Sequence, residues 1–282
     1  MGRPDTTDPA TCPVACAELA LPVVRLPVRR WRAGAWLDTT DSIASESPVA
    51  LTYNSIPHVV MMATPRDLED MGVGFTVSES LVADVAEIRD VAVDISSGDY
   101  ELRLSVTGAR LGEMLERRRN LTGRTGCGVC GAETIEDAIR RPPPVPAGGR
   151  STREALVGAL RRLRELQPLG AQAGSLHAAA WVSWDGEVRL VREDVGRHNA
   201  LDKLIGARLR AGLGMADGYA LVTSRASYEM VQKAATLGIR MLVAVSAPTA
   251  LGVKLAQDCG LTLVGFARED QQVVYSHPER LD

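Results

Sequence analysis

Cys127 and Cys130 are the one pair of cysteines whose spacing asks for a chemical explanation. A Cys-x-x-Cys supports three chemistries: half of a zinc site, a thiol–disulfide redox couple, or a relay that accepts sulfur and passes it on. A zinc site would need a second pair, and Cys259 and His177 are distant in sequence. A thioredoxin-like couple opens a helix directly after a strand, in a pattern absent here. Spacing alone weights the three about equally. Gly123, Gly126, Gly128 and Gly131 then tilt the balance toward a reactive loop, because they strip steric cover from the backbone. The thiolate is the form that attacks or accepts sulfur. Arg117, Arg118, Arg119 and Arg124 lie close enough in sequence to lower a thiol pKa, although as a run they read as a solvated helix face.

A second constellation, Glu193-Asp194-Val195-Gly196-Arg197-His198-Asn199, packs two acids, a cation, an imidazole and an amide into one strand-to-helix junction. The carboxyl ends of strands in α/β sheets, with the free amides of the following helix, favour phosphate. An acid there could also accept from the N1–H and amino group of guanine. Asp194 alone reads better as a helix cap, with Arg197 paired to Glu193. As a cluster, Asp194 and His198 point to a nucleotide pocket. Ser224-Arg225-Ala226-Ser227 occupies the next such junction, where Arg225 suits phosphate and Ser227 reads as an N-cap. Ser246-Ala247-Pro248-Thr249 repeats the arrangement more weakly. His177 is balanced between core histidine and pocket wall.

The elements that must hold these residues follow from periodicity. Residues 1–20 read as a mobile tail, and residues 21–141 as an α+β region carrying the cysteine loop. There Val49, Leu51 and Tyr53 alternate as on a strand, Asn54-Ser55 turns, and His58–Met62 returns. Thr64-Pro65-Arg66-Asp67 predicts an N-cap and a first helical turn ahead of Leu68, Met71 and Phe75. A hairpin of residues 85–95 and 100–106 follows, then a short helix over 111–119. Residues 142–150, rich in Pro and Gly, predict a linker that is stiff and then flexible. Ser151 and Glu154 predict a capping box at the start of a domain spanning 151–282. Within it Asp185-Gly186 marks a hairpin and Gly238 closes a helix. Residues 239–245, apolar apart from Arg240, read as a strand buried on both faces. The alternation of helix and strand predicts a layered α/β sheet.

Composition narrows the class. The chain has 282 residues, 45% hydrophobic and 24% charged, enough for a real core. A formal charge of -3 offers no global field for nucleic acid. The charge-free apolar stretch from Met241 to Val253, interrupted by Pro248, is too short to span a bilayer. The first residues lack the basic start and apolar run of a secretory signal, and five sparse cysteines suit a reducing cytoplasm. Cys12 and Cys16 fall in the tail and carry no argued role.

Three stretches taken together are far more specific than any one of them. Gly126-Cys127-Gly128-Val129-Cys130-Gly131 is followed by Arg192-Glu193-Asp194-Val195-Gly196-Arg197-His198-Asn199-Ala200-Leu201-Asp202-Lys203, and then by Ser224-Arg225-Ala226-Ser227-Tyr228-Glu229-Met230. In this order the chain resembles the formate dehydrogenase accessory sulfurtransferase family, FdhD, from about Ser47 to the C-terminus. The resemblance implies a protein that receives sulfur as a persulfide from a cysteine desulfurase. The sulfur would pass to a molybdenum (or tungsten) cofactor carrying two pterin guanine dinucleotides, needed for formate dehydrogenase activity. It implies that Cys127 is the persulfide carrier and Cys130 its partner. The molybdenum bis(molybdopterin guanine dinucleotide) would be bound transiently, as substrate, with no permanently bound metal.

The resemblance also assigns cofactor contact to Phe266, Ala267, Arg268, Glu269, Asp270 and Gln271. Here the chain departs from the family, because Glu269 and Gln271 stand where a small residue and a basic one are usual. A negative charge beside a pyrophosphate is unfavourable unless it faces away. The larger domain is expected to look like the cytidine deaminase fold. Deamination itself is not expected, since His177-Ala178-Ala179 lacks the glutamate of H-x-E. Two rival readings stay open: a non-catalytic cofactor chaperone with incidental thiols, and a structural zinc shared across a homodimer.

Overall fold

The computed structural model describes residues 21–96, 99–112 and 141–282. Its larger sheet has six strands: β7 (His177–Ser183), β8 (Val188–Asp194), β9 (Gly218–Val222), β10 (Met241–Ala244), β11 (Thr262–Gly265) and β12 (Val273–Ser276). They lie in the order β12-β11-β10-β9-β7-β8, with β9, β10 and β11 parallel and β7 antiparallel to both its neighbours. Period-two alternation decides which side chains go to which face. Ala178, Ala180, Val182, Leu221 and Val243 face α2 (Arg153–Glu165). That helix presents Leu156, Ala159, Leu160 and Leu163 at helical spacing, and each buried leucine contributes about 2 kcal/mol. Ala179, Trp181, Ala220, Val222 and Leu242 face the opposite way. They pack on α3 (Arg197–Arg210), α4 (Tyr228–Thr236) and α5 (Ala250–Cys259). The expected layered α/β fold is what the chain adopts.

A second sheet, order β4-β3-β6-β5, is built from β3 (Ser47–Tyr53), β4 (Ile56–Ala63), β5 (Ile88–Ser96) and β6 (Asp99–Val106). Val49, Leu51, Tyr53, Leu102 and Leu104 bury one face of it against α1 (Leu68–Ser78). The two sheet systems meet where α1 crosses α3. A Cβ on Gly74 would lie 1.8 Å from the Asp202 carbonyl, and one on Gly206 1.8 Å from that of Asp70, so only glycine lets these backbones touch. Around the contact, Asp202 accepts from Ser78 Oγ at 2.7 Å and from Lys233 Nζ at 2.9 Å, which ties α1, α3 and α4 together.

Several sequence expectations change. Thr64 does not cap α1: the helix begins at Leu68 after Asp67, whose backbone is left-handed at φ 52° and whose side chain makes no cap bond. Thr152, not Ser151, caps α2 by accepting from Ala155 N, while Ser151 pairs with Leu281 in a parallel bridge. There is no capping box, since the exposed Glu154 carboxylate lies beside Arg153 instead. Residues 85–87 form a 3-10 turn before β5. Within the expected linker 142–150, Val145 N donates to Cys259 O at 2.8 Å, and Arg280 Nε to Gly148 O at 3.1 Å. The predicted helix 111–119 lies mostly outside the described residues, as does the tail 1–20.

One element had no sequence expectation. β1 (Val23–Arg32) and β2 (Ala35–Ala44) form a free two-stranded ribbon, closed by Ala33-Gly34, both at positive φ. Trp31 and Trp36 meet edge to face at its tip, with centroids 5.3 Å apart. No helix among the described residues is long and apolar enough to cross a membrane.

Candidate functional site

Four stretches that are far apart in sequence converge on one edge of the six-stranded sheet. Because β7 runs antiparallel between β8 and β9, its first residue His177 lies opposite Asp194, and Ala179 opposite Val222. The carboxyl ends of β8, β9, β10 and β11 therefore share this edge with the start of β7, the position where α/β sheets hold ligands. The loops that leave it are bonded to one another. Thr249 N donates to Ala226 O at 3.0 Å, Phe266 N to Ser246 O at 3.1 Å, and Ala267 N to Ala244 O at 3.1 Å.

Asp194 is wholly buried and its carboxylate is fully engaged. Lys203 Nζ lies 2.6 Å from Oδ2, which also accepts from Thr64 N at 3.0 Å. Oδ1 accepts from Gly196 N at 2.7 Å and Asn199 Nδ2 at 3.0 Å. Both carboxylate oxygens are thus occupied within the junction, and Asp194 has none turned outward to accept from a guanine. Burial pushes the Lys203 ammonium below the ordinary lysine value, and the Asp194 carboxylate partly offsets this. Arg197 is not paired with Glu193, whose carboxylate accepts from Leu169 N at 3.1 Å and Gly170 N at 2.7 Å.

Arg197, His198 and Arg225 are thus left facing the edge with His177. Arg197 Nε and Ser227 Oγ are buried without a hydrogen-bond partner among the described residues. The N-caps of α3 and α4, Gly196 and Ser227, make no side-chain cap bond, so the first-turn amides of both helices are uncapped. His177 is half-buried, and burial first, then the charges of Arg197 and Arg225, hold its ring below the ordinary histidine pKa; Asp194 opposes them. His198 Nε2 lies 2.7 Å from Glu229 Oε2, and that contact holds the Glu229 carboxyl below its ordinary value. Helix starts without side-chain caps, together with guanidinium groups, are chemistry that suits phosphoryl oxygens, although α4 also carries Glu229 in its first turn.

The segment 266–271 closes the edge. Phe266 turns the chain with φ 49°, and Arg268 N donates to Gln271 O at 2.7 Å. Ala267 is buried, whereas Arg268, Asp270 and Gln271 are exposed. Glu269 faces away from the edge: its carboxylate takes Arg161 Nε at 2.7 Å and Arg164 at 2.9 Å, both on α2. Those arginines hold its carboxyl below the usual range.

Cys127 and Cys130 lie outside the described residues, as do Arg117, Arg118, Arg119 and Arg124. Cys259 is buried, and burial pushes its thiol up, away from reactivity. Among the described residues no three His, Cys, Asp or Glu side chains converge as a metal site. Sequence reasoning missed Thr64, Lys203 and Glu229 as parts of this edge. One signal was present: of the 32 Lys+Arg only Lys203, Lys233 and Lys254 are lysines, and the first two are buried.

Residues 44–282 match the FdhD/NarQ family. The chain is 52% identical over 255 residues to Sulfur carrier protein FdhD of Xanthomonas campestris pv. campestris (strain B100), covering 90% of this chain and 91% of that protein. It is 48% identical over 254 residues to the protein of the same name from Cupriavidus necator, covering 90% and 88%. Among solved structures, a chain described as a formate dehydrogenase accessory protein from Desulfotalea psychrophila superposes with a TM-score of 0.75 at 24% identity. That superposition covers 93% of this chain and 100% of the other.

Proposed function

This chain belongs to the FdhD/NarQ family, and from that premise we propose that it is a sulfur carrier in formate dehydrogenase maturation. Relatives named as sulfur carriers, about half identical along nine-tenths of the chain, support the role. In the finer reading, the Cys127 thiolate attacks the outer sulfur of a desulfurase persulfide. An S–S bond forms on Cys127 as the bond to the desulfurase sulfur breaks, and the desulfurase cysteine leaves as a thiolate that takes up a proton. Cys130 then attacks the inner sulfur of the Cys127 persulfide, closing a disulfide and releasing hydrosulfide with no outside reductant. The molybdenum bis(molybdopterin guanine dinucleotide) is the substrate that takes this sulfur.

The observation that supports the cofactor half of the proposal is the pair of helix starts without side-chain caps, with Arg197 Nε and Ser227 Oγ lacking partners among the described residues. Arg197 and Arg225 bind and orient the pyrophosphate of a guanine dinucleotide, His177 and His198 wall the site, and Arg268 approaches from the 266–271 segment. We place the work in the cytoplasm, with a cysteine desulfurase as donor and formate dehydrogenase as destination. The test is activation of apo formate dehydrogenase by wild type and by Cys127→Ala in the presence of desulfurase and cysteine. Loss of activation with the variant supports sulfur transfer through this thiol; full activation overturns it and favours a non-catalytic chaperone.

A further inference from the structure

Thr64 belongs to the smaller sheet system, in the connection between β4 and α1, where its carbonyl accepts from Arg66 N at 2.7 Å, yet each of its polar groups also bonds to the β8–α3 junction. Its N–H donates to Asp194 Oδ2 at 3.0 Å, and its Oγ1 accepts from Val195 N at 3.1 Å. Its carbonyl accepts from Lys203 Nζ at 3.0 Å. Lys203 completes its own set with Asp194 Oδ2 at 2.6 Å and Glu193 O at 3.5 Å. Asn199 Nδ2 adds a bond to Met62 O at 2.9 Å. Thr64, Asp194 and Lys203 have no exposed surface, so water competes for none of these bonds.

We propose that Thr64 and Lys203 are positioning residues for the nucleotide site: they fix the Val195–Gly196 backbone and so aim the first amides of α3, with Arg197 and His198, at the ligand. This rests on reading that edge as the guanine nucleotide site. The geometry favours aiming over simple cohesion. A buried ion pair stabilises a fold no better than apolar groups of the same volume, whereas a hydroxyl and an ammonium together fix the direction of specific backbone groups. Thr64 Oγ1 is the only contact in the network that acts on Val195 N, one peptide before the α3 N-cap. The smaller sheet system, continuous in sequence with the cysteine loop, is thereby part of the nucleotide site.

The experiment is GDP titration by calorimetry of the full chain, with melting curves and amide NMR, for wild type, Thr64→Val and Lys203→Met. Thr64→Val keeps shape and main-chain bonds, so it stays folded even if Lys203→Met does not. We expect its Kd for GDP to rise about tenfold, with the Gly196, Arg197 and His198 amide resonances displaced in the free protein. Thr64→Ser, which restores the hydroxyl, should recover most of the affinity. A lowered melting temperature with Kd within about twofold of wild type would reduce the network to cohesion and overturn the proposal. Absence of GDP binding by wild type would instead overturn the reading of the edge, and the proposal with it.

Discussion

Lys203 Nζ lies 2.6 Å from Asp194 Oδ2, and neither side chain has any solvent exposure. Removing one partner of such a pair strands the other charge in a medium that cannot solvate it. Lys203→Met should therefore cost about 3–5 kcal/mol of stability. The double variant Lys203→Met, Asp194→Asn should recover a substantial part, because no charge is then left alone. Urea unfolding of the three proteins measures this; equal losses in single and double variants would contradict it.

His177 should titrate below 6.5, the ordinary value from which burial depresses it. Between the folded value and 6.5 the unfolded chain holds more protons than the folded one, so stability rises with pH across that window. The penalty is absent above it and fully present below the folded value. A bound pyrophosphate adds negative charge and should raise the His177 pKa, with proton uptake on GDP binding. An NMR titration of the ring with and without GDP reads both effects; an unchanged pKa on saturation would place the anion elsewhere.

Because Glu269 is held by Arg161 and Arg164 on the outer side of its loop, its charge should be nearly silent toward a nucleotide. Glu269→Ala should leave stability close to that of wild type and change GDP affinity by less than about threefold. Calorimetry showing binding about tenfold tighter or more would mean that the carboxylate faces the pyrophosphate.

Two glycine-to-alanine substitutions should have opposite signs. At Gly206 a new Cβ falls 1.8 Å from the Asp70 carbonyl, so Gly206→Ala must push α1 off α3 and should cost about 3 kcal/mol. At Gly158, exposed on α2, nothing lies within 4 Å, and Gly158→Ala should stabilise by about 0.5–1 kcal/mol. Thermal melts of both variants decide whether the α1–α3 contact is as intimate as described.

Local patterns were legible where local physics decides them. The apolar run of β10, the Asp185-Gly186 turn and the glycine stop at Gly238 were read correctly because each depends on near neighbours. Thr64 was misread because Thr-Pro offers the same chemistry to a helix start as to a partner 130 residues away. Asp194 shows the same limit: the sequence supplies a carboxylate at a strand end but not which of its lone pairs are already taken. The ribbon β1–β2 escaped notice because most of its residues are exposed on both faces. The departure at Glu269 was visible in the sequence, while its harmless direction depended on two arginines of α2.

The central claim, sulfur carriage by one thiol, is tested most directly by the mass of the intact protein after incubation with a cysteine desulfurase and cysteine. Wild type should gain about 32 Da, removed by dithiothreitol and mapped by peptide fragmentation to Cys127, and Cys127→Ala should gain nothing there. A wild type that takes up no sulfur, or a Cys127→Ala chain that takes up as much as wild type, would contradict the assignment.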